Sequence, residues 1–316
     1  MNKKPVLITE GDPAGISTEI LENSISELRE LANDRPVIFI TARKAYSPTG
    51  FTTLGAASLK LKTPDKGLYV VCTHELSYEE DKRIHVGNPS IESAKAAFLS
   101  LQAAVDIQQA TQANLVTMPL SKEWIIRAGV KKFTGHTEYL ADHYKKDTFM
   151  LMLGKKLRVI PLTTHVPFRH VPVYLSKVKI QSMIAAILGS DLIPEGRIAF
   201  CGLNPHAGES GQIGEEELEI ITPYMQEMTK RGMDVEGPLS ADSVFTEELR
   251  DDYKLILTCY HDQGLIPFKA LEGKNGINLT LGLDFIRVSP DHGTAFPIAG
   301  KAIADTTSFT ECLKYV

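Results

Sequence analysis

The sequence predicts an α/β fold, built as one large or two closely joined domains. Three observations carry this. Short apolar runs such as Pro5-Val6-Leu7-Ile8-Thr9 and Leu115-Val116-Thr117-Met118-Pro119-Leu120 recur along the chain at strand length. Turns rich in glycine or proline follow them, and then apolar residues at helical spacing. Finally, 316 residues exceed what a single hydrophobic core usually fills.

Composition narrows the class further. With 43% hydrophobic and 23% charged residues the chain reads as globular, and a formal net charge of -5 gives no reason to expect nucleic acid as a partner. An anionic substrate would need a local cluster of cations. The amino terminus runs straight into a strand without the pattern of a signal peptide, and no stretch approaches the roughly 20 apolar residues that span a bilayer. These features predict a cytoplasmic location and no membrane contact. The four cysteines form no Cys-x-x-Cys pair, so they read as reduced core residues and not as a zinc knuckle or disulfide framework.

The first strand, residues 5–9, leads through Glu10-Gly11-Asp12-Pro13-Ala14-Gly15 into a helix marked by Ile20, Leu21, Ile25, Leu28 and Leu31. Gly11 and Gly15 do not make a Gly-x-Gly-x-x-Gly fingerprint, so no Rossmann-type turn is expected here. Strands follow at 36–40 and 68–71, separated by a polar surface excursion. Ser90 caps a long helix over 91–112, and the run 115–120 closes a parallel βαβ unit. Phe149 to Leu162 reads as a hairpin about Gly154-Lys155-Lys156, and residues 175–188 as a helix ending at Gly189. A strand within 197–203 precedes a helix reaching about Arg231, whose first-turn Glu215-Glu216-Glu217 is expected to be solvated. Residues 237–245 read as a loop in which Asp242 is either an N-cap or a site carboxylate.

The chemistry gathers at strand ends. His165 follows the run 157–162, His206 follows 197–203, and His261 follows 255–260. In α/β proteins ligands sit beyond the carboxyl ends of strands, and three imidazoles there suit a borderline divalent metal such as zinc. His136 lies in Gly135-His136-Thr137-Glu138 at the amino end of a helix, where backbone donors favour an anion. Lys269 and Arg287, with Asn278 and Thr137, would bind a phosphate or carboxylate. Asp262, Asp242 and Lys269 are the candidates for the general base, and the sequence does not rank them.

The motifs Gly11-Asp12-Pro13-Ala14-Gly15-Ile16, Phe133-Thr134-Gly135-His136-Thr137-Glu138, Gly202-Leu203-Asn204-Pro205-His206-Ala207-Gly208-Glu209, Gly237-Pro238-Leu239-Ser240-Ala241-Asp242, Tyr260-His261-Asp262-Gln263-Gly264 and Asn278-Leu279-Thr280-Leu281-Gly282-Leu283 occur in this order. Arg287 and Asp291-His292-Gly293-Thr294-Ala295 follow them. In this set the chain resembles the 4-hydroxythreonine-4-phosphate dehydrogenase family of vitamin B6 biosynthesis over nearly its whole length. The tail is also similar to the adenine-side loop of isocitrate and isopropylmalate dehydrogenases, through His292, Gly293, Thr294 and Ala295 followed by Ile298 and Ala299.

The resemblance implies a homodimer of two-lobed α/β/α subunits, isocitrate/isopropylmalate dehydrogenase-like, with a cleft between the lobes completed by the other subunit. Residues 1–130 with 265–316 would form the first lobe and carry the cofactor loop, and 131–264 the second lobe with the metal ligands. It implies that His165, His206 and His261 bind a divalent metal (Zn, Mg or Co), His261 being donated across the dimer. His136, Thr137, Lys269, Asn278 and Arg287 match substrate-contacting positions, and His292 to Ala295 with Ile298 and Ala299 match cofactor-contacting ones. The implied reaction oxidises 4-hydroxythreonine 4-phosphate with NAD or NADP to a β-keto acid, which decarboxylates to 3-amino-2-oxopropyl phosphate. Residues 270–277 lack the aromatic and arginine of the biosynthetic members, which keeps open a paralogue acting on 4-phosphothreonate or 4-phosphoerythronate. A non-catalytic phosphoester-binding regulator is the reading from another class.

Overall fold

The computed structural model describes residues 3–44, 46–56, 59, 63–73 and 75–316. The chain forms two compact units, Met1–Tyr139 with Asp284–Val316, and Leu140–Leu283. The joins therefore lie later than those read from sequence at 130/131 and 264/265. Phe133 and Tyr139 pack edge-on against Phe98, which ties 131–139 to the first unit. Residues 277–281 pair antiparallel with 149–153, which keeps everything to Leu283 in the second.

In chain order the strands are β1 Val6–Thr9, β2 Pro36–Thr41, β3 Thr52–Leu54, β4 Gly67–Cys72, β5 Asn114–Val116, β6 Phe149–Leu153, β7 Arg158–Pro161, β8 Ile198–Cys201, β9 Val235–Leu239, β10 Leu255–Thr258, β11 Ile277–Leu281 and β12 Arg287–Pro290.

The sheet of the first unit runs β3-β4-β2-β1-β5-β12, all parallel. Every residue of β1 and β2 is buried, as expected of parallel strands covered on both faces. From β1 the chain moves one way to β2, and from β4 it moves back past β1 to β5. Right-handed crossovers in opposite directions put the helices Ile25–Ala32 and Ile91–Thr111 on opposite faces. The N-cap predicted at Ser90 forms, and Ser93 completes it as a capping box: each backbone N–H donates to the other's hydroxyl, at 3.0 and 3.1 Å. The strand β3 lies in what reads as a surface excursion. It is a polar, exposed edge, so it carries no apolar alternation from which to recognise it.

The sheet of the second unit runs β11-β6-β7-β10-β8-β9, antiparallel as far as β7 and parallel beyond. The β6–β7 hairpin forms as read, and the buried Glu272 accepts the backbone N–H groups of Lys155, Lys156 and Leu157 at 3.0, 2.7 and 2.7 Å. Three departures occur, two with a physical reason. The helix expected over 175–188 is two pieces, Val171–Leu175 and Ile180–Leu188. Residues 237–239, expected in a loop, belong to β9. Gly237 and Pro238 hide it, because a Cβ at Gly237 would lie 2.5 Å from the Phe200 carbonyl oxygen, and proline is tolerated on an edge. Glu217 is buried and not solvated like its neighbours, because its carboxylate is taken up by the end of β8. Among the described residues no single helix is long and apolar enough to cross a membrane.

Candidate active site

β7, β10 and β8 are adjacent and parallel, so their carboxyl ends, and the turns bearing His165, His261 and His206, open along one edge of the second unit's sheet. The rings of His165 and His261 stand 5.8 Å apart between centroids, tilted by 41°. His261 begins the helix His261–Glu272, and its Nδ1 lies 2.7 Å from Asp262 Oδ1. His206 Nδ1 lies 2.7 Å from Glu209 Oε1, and this bond raises the imidazole pKa above its ordinary value. A carboxylate on Nδ1 fixes the tautomer that leaves Nε2 as a lone-pair donor, the usual dressing of a metal-binding histidine. The donor chemistry therefore fits a divalent cation. The structure brings together two of the three imidazoles, and His261 stands against His165 of its own chain. His206 is not gathered with them, and among the described residues no group of three or more His, Cys, Asp or Glu is arranged to hold a metal ion.

The turn carrying His206 is unusual in its backbone. His206, Ala207, Gly208, Glu209 and Ser210 all have φ between 44° and 77° with ψ between 0° and 51°, forming one left-handed turn. Such backbone costs a residue with a Cβ about 1–2 kcal/mol, and it persists only where the surroundings impose it.

A second constellation lies wholly in the first unit. Arg287, at the start of β12, is 1% exposed, and burial lowers its pKa to about 10. Its Nε donates to Thr117 Oγ1 at 3.1 Å, Nη2 donates to the same oxygen, and Nη1 reaches Thr137 Oγ1 at 3.5 Å. Thr117 was not singled out from sequence because it sits inside an apolar run. Its signal is a hydroxyl just past the carboxyl end of β5. His136 opens the helix His136–Tyr144, partly exposed as a residue but with Nε2 shut off from solvent and without a partner. Burial, and then the Arg287 charge, push its pKa well below the ordinary 6.5. A neutral imidazole and a buried guanidinium side by side make a desolvated pocket wall that favours a negative group.

The His136 shift has a consequence for stability. Its folded pKa lies below the unfolded value, so between the two the unfolded chain binds the extra proton. Stability is therefore full above about pH 6.5 and declines as pH falls toward the folded value. We expect urea unfolding midpoints to drop on acidification from pH 7.5 to 5, and His136→Gln to drop less; equal declines in the two proteins would remove His136 as the cause.

The remaining sequence candidates are placed as follows. Asn278 lies in β11 with Oδ1 buried and unpartnered, and Lys269 is exposed on the helix His261–Glu272. Asp242 is not an N-cap: Ser240 is, and the Ser240 hydroxyl donates to Asp242, lowering its pKa with a smaller contribution from His206. Asp262 is engaged with His261. In the first unit the loop of His292, Gly293, Thr294 and Ala295, leading through Ile298 to Ala299, folds onto the turn after β1. Ile16 N donates to Thr294 O at 3.0 Å, and a Cβ on Gly15 would lie 2.5 Å from that oxygen. The two glycine-bearing motifs at opposite ends of the sequence thus form one surface.

An α/β chain with carboxylate-oriented imidazoles along one strand-end edge and a buried guanidinium beside a neutral imidazole belongs to the class of enzymes acting on small anionic substrates. Residues 29–316 match the family model described as Pyridoxal phosphate biosynthetic protein PdxA, and the chain belongs to this family. A 4-hydroxythreonine-4-phosphate dehydrogenase of Sulfurihydrogenibium sp. is 37% identical, over 97% of this chain and 95% of that protein. A protein of Oceanobacillus iheyensis provisionally named D-threonate 4-phosphate dehydrogenase is also 37% identical, over 99% and 97%. The crystal structure of 4-hydroxythreonine-4-phosphate dehydrogenase from Klebsiella pneumoniae superposes with a TM-score of 0.78 at 31% identity, covering 99% of this chain and 96% of that one.

Proposed function

We propose that this protein oxidises the secondary alcohol of 4-hydroxythreonine 4-phosphate with NAD or NADP, giving a β-keto acid that loses carbon dioxide to yield 3-amino-2-oxopropyl phosphate. The observation that carries this reading is the buried Arg287 with Thr117, Thr137 and neutral His136, an arrangement suited to a phosphate or carboxylate. The relatives' names supply the substrate. A divalent cation (Zn, Mg or Co) would acidify the reacting hydroxyl and polarise the new carbonyl, and the nicotinamide would accept the hydride.

The chain's own residues have separate tasks in this account. His165, His206 and His261 would hold the cation, with Glu209 and Asp262 fixing the rings of His206 and His261. Arg287, Thr137 and His136 hold an anionic group of the substrate, and Lys269 and Asn278 match substrate-contacting positions of the family. Asp242, Asp262 and Lys269 are the candidates for the general base, with Asp242 accepting from the Ser240 hydroxyl and Asp262 standing on His261 Nδ1. The 292–295 loop with Ile298 and Ala299 carries the nicotinamide cofactor.

We further propose a homodimer in which a second copy completes the metal site, since His206 is not gathered with His165 and His261 within one chain. The second unit exposes Phe168 (72%), Ile266 (67%), Leu218 (53%) and Tyr174 (49%), with Phe168 edge-on to Tyr260 beside His261. A double change, Phe168→Asp with Ile266→Asp, is expected to halve the mass seen by light scattering and abolish turnover; an active monomer would contradict the shared site. We also propose a cytoplasmic location; none of the four cysteines is in a disulfide.

The Oceanobacillus relative and the residues at 270–277 favour a second reading, oxidation of a phosphorylated threonate or erythronate. Wild-type protein with a divalent metal should be screened for NAD(P) reduction and carbon dioxide release over 4-hydroxythreonine 4-phosphate, 4-phosphothreonate and 4-phosphoerythronate. Turnover of the first and not the others supports the first reading, and the reverse supports the second. Binding without reduction of either cofactor would favour a regulator.

A further inference from the structure

We propose that Glu217 is the positioning residue that locks the His206 turn in the conformation a metal ligand needs. The inference rests on the reading of His206 as a ligand. It begins from a carboxylate that sequence would leave in solvent and the fold buries to 3% exposure.

Glu217 is the first residue of a π-helical turn, Glu217–Ile221, leading into the helix Thr222–Lys230. Single wide turns of this kind re-aim side chains and recur at functional sites. Here the carboxylate points back at the end of β8. Oε1 accepts the backbone N–H groups of Leu203 and Asn204, both at 2.7 Å, and Oε2 accepts the Asn204 side-chain amide at 2.9 Å. One carboxylate thus fixes the last two residues before Pro205 and the ligand.

The neighbouring glycines are fitted to that carboxylate. A Cβ on Gly208 would lie 2.6 Å from Glu217 Oε2, and one on Gly202 would lie 3.1 Å from Oε1 and 2.7 Å from Ala207 Cα. The left-handed turn from His206 to Ser210 therefore closes directly over Glu217, and its strain is opposed by the bonds at its base. The same base is tied to the other histidines. Gln263 donates from Nε2 to Gly202 O and accepts from Cys259 N, each at 2.7 Å, and it belongs to the helix that His261 begins. A shift of the Glu217 anchor would move His206 relative to the His165 and His261 pair without touching any ring.

Glu217→Gln is the discriminating change. Its amide oxygen still accepts the two backbone donors, while its NH2 meets the Asn204 NH2, donor against donor. Cobalt(II) alone should bind the full-length variant about 10- to 100-fold more weakly than wild type, by analogy with loss of groups that orient ligands. The metal-free unfolding temperature should stay near wild type, and inorganic phosphate binding, which draws on Arg287, should be unchanged. Asn204→Ala, which keeps both backbone donors to Oε1 and removes the amide that bridges Glu217 Oε2 and Glu216 Oε2, should weaken cobalt(II) binding in the same direction by less. It decides the question if Glu217→Gln does not fold. Wild-type cobalt(II) affinity in the folded Glu217→Gln protein, or in Asn204→Ala where the first is unfolded, overturns the proposal. Failure of the wild-type protein itself to bind cobalt(II) would overturn the histidine reading first, and this inference with it.

Discussion

Arg287→Met is expected to give a folded protein with almost no turnover of a phosphorylated hydroxy acid. Arg287 is among the largest fully buried side chains of the described residues, its guanidinium held by threonine hydroxyls and pushed down to a pKa of about 10 by burial. A buried cation stabilises a fold poorly, since replacing it with an apolar side chain of similar volume is often neutral or better. Its value lies in an incoming anion, to which each charge-assisted hydrogen bond contributes roughly 1.5–3 kcal/mol. Losing two such bonds lowers kcat/KM by about 10²- to 10⁴-fold. The checks are steady-state kinetics and urea unfolding on the same preparation. Unfolding with wild-type cooperativity alongside lost activity is the expected pair. Wild-type kcat/KM in a folded variant would remove Arg287 from the substrate site.

His206→Ala carries the second large effect. It leaves Glu209 without its 2.7 Å partner and takes away one of three proposed ligands on a turn that is exposed and makes little contribution to the core. Divalent metal affinity should fall by about 10²- to 10⁴-fold, taking an equal share of a typical metal-binding free energy for each of three ligands. Turnover should disappear at metal concentrations that saturate wild type. Glu209→Gln, which keeps the ligand and loosens its orientation, should lose only about 10- to 100-fold in affinity. An activity loss in His206→Ala with unchanged metal content would show that the imidazole serves another purpose.

Much of this was legible in the chain itself. The buried strands β1, β2, β5, β8 and β10 read directly from their apolar runs, because parallel strands covered on both faces have no polar side to confuse the pattern. The histidines stood out because each follows such a run. What escaped was of two kinds. The strands β3 and β9 are edges, one polar and one interrupted by Gly237-Pro238, so neither shows a strand's periodicity. Thr117 and Glu217 gain their roles from partners far along the chain, Arg287 and the turn 203–208, and no local pattern reports those contacts. Glu217 in particular sits among three consecutive glutamates that look alike until the π-helical turn separates them.

If the strand-end imidazoles and the buried guanidinium serve a metal-assisted oxidation, turnover depends on a divalent metal. The most direct measurement is the initial rate of NAD(P) reduction with 4-hydroxythreonine 4-phosphate and its threonate and erythronate counterparts, before and after chelation and again after divalent metal is restored. Turnover of at least one of these substrates is expected, abolished by chelation and restored by metal. Turnover indifferent to the chelator, or none with any substrate at saturating metal and cofactor, would contradict a metal-assisted oxidation.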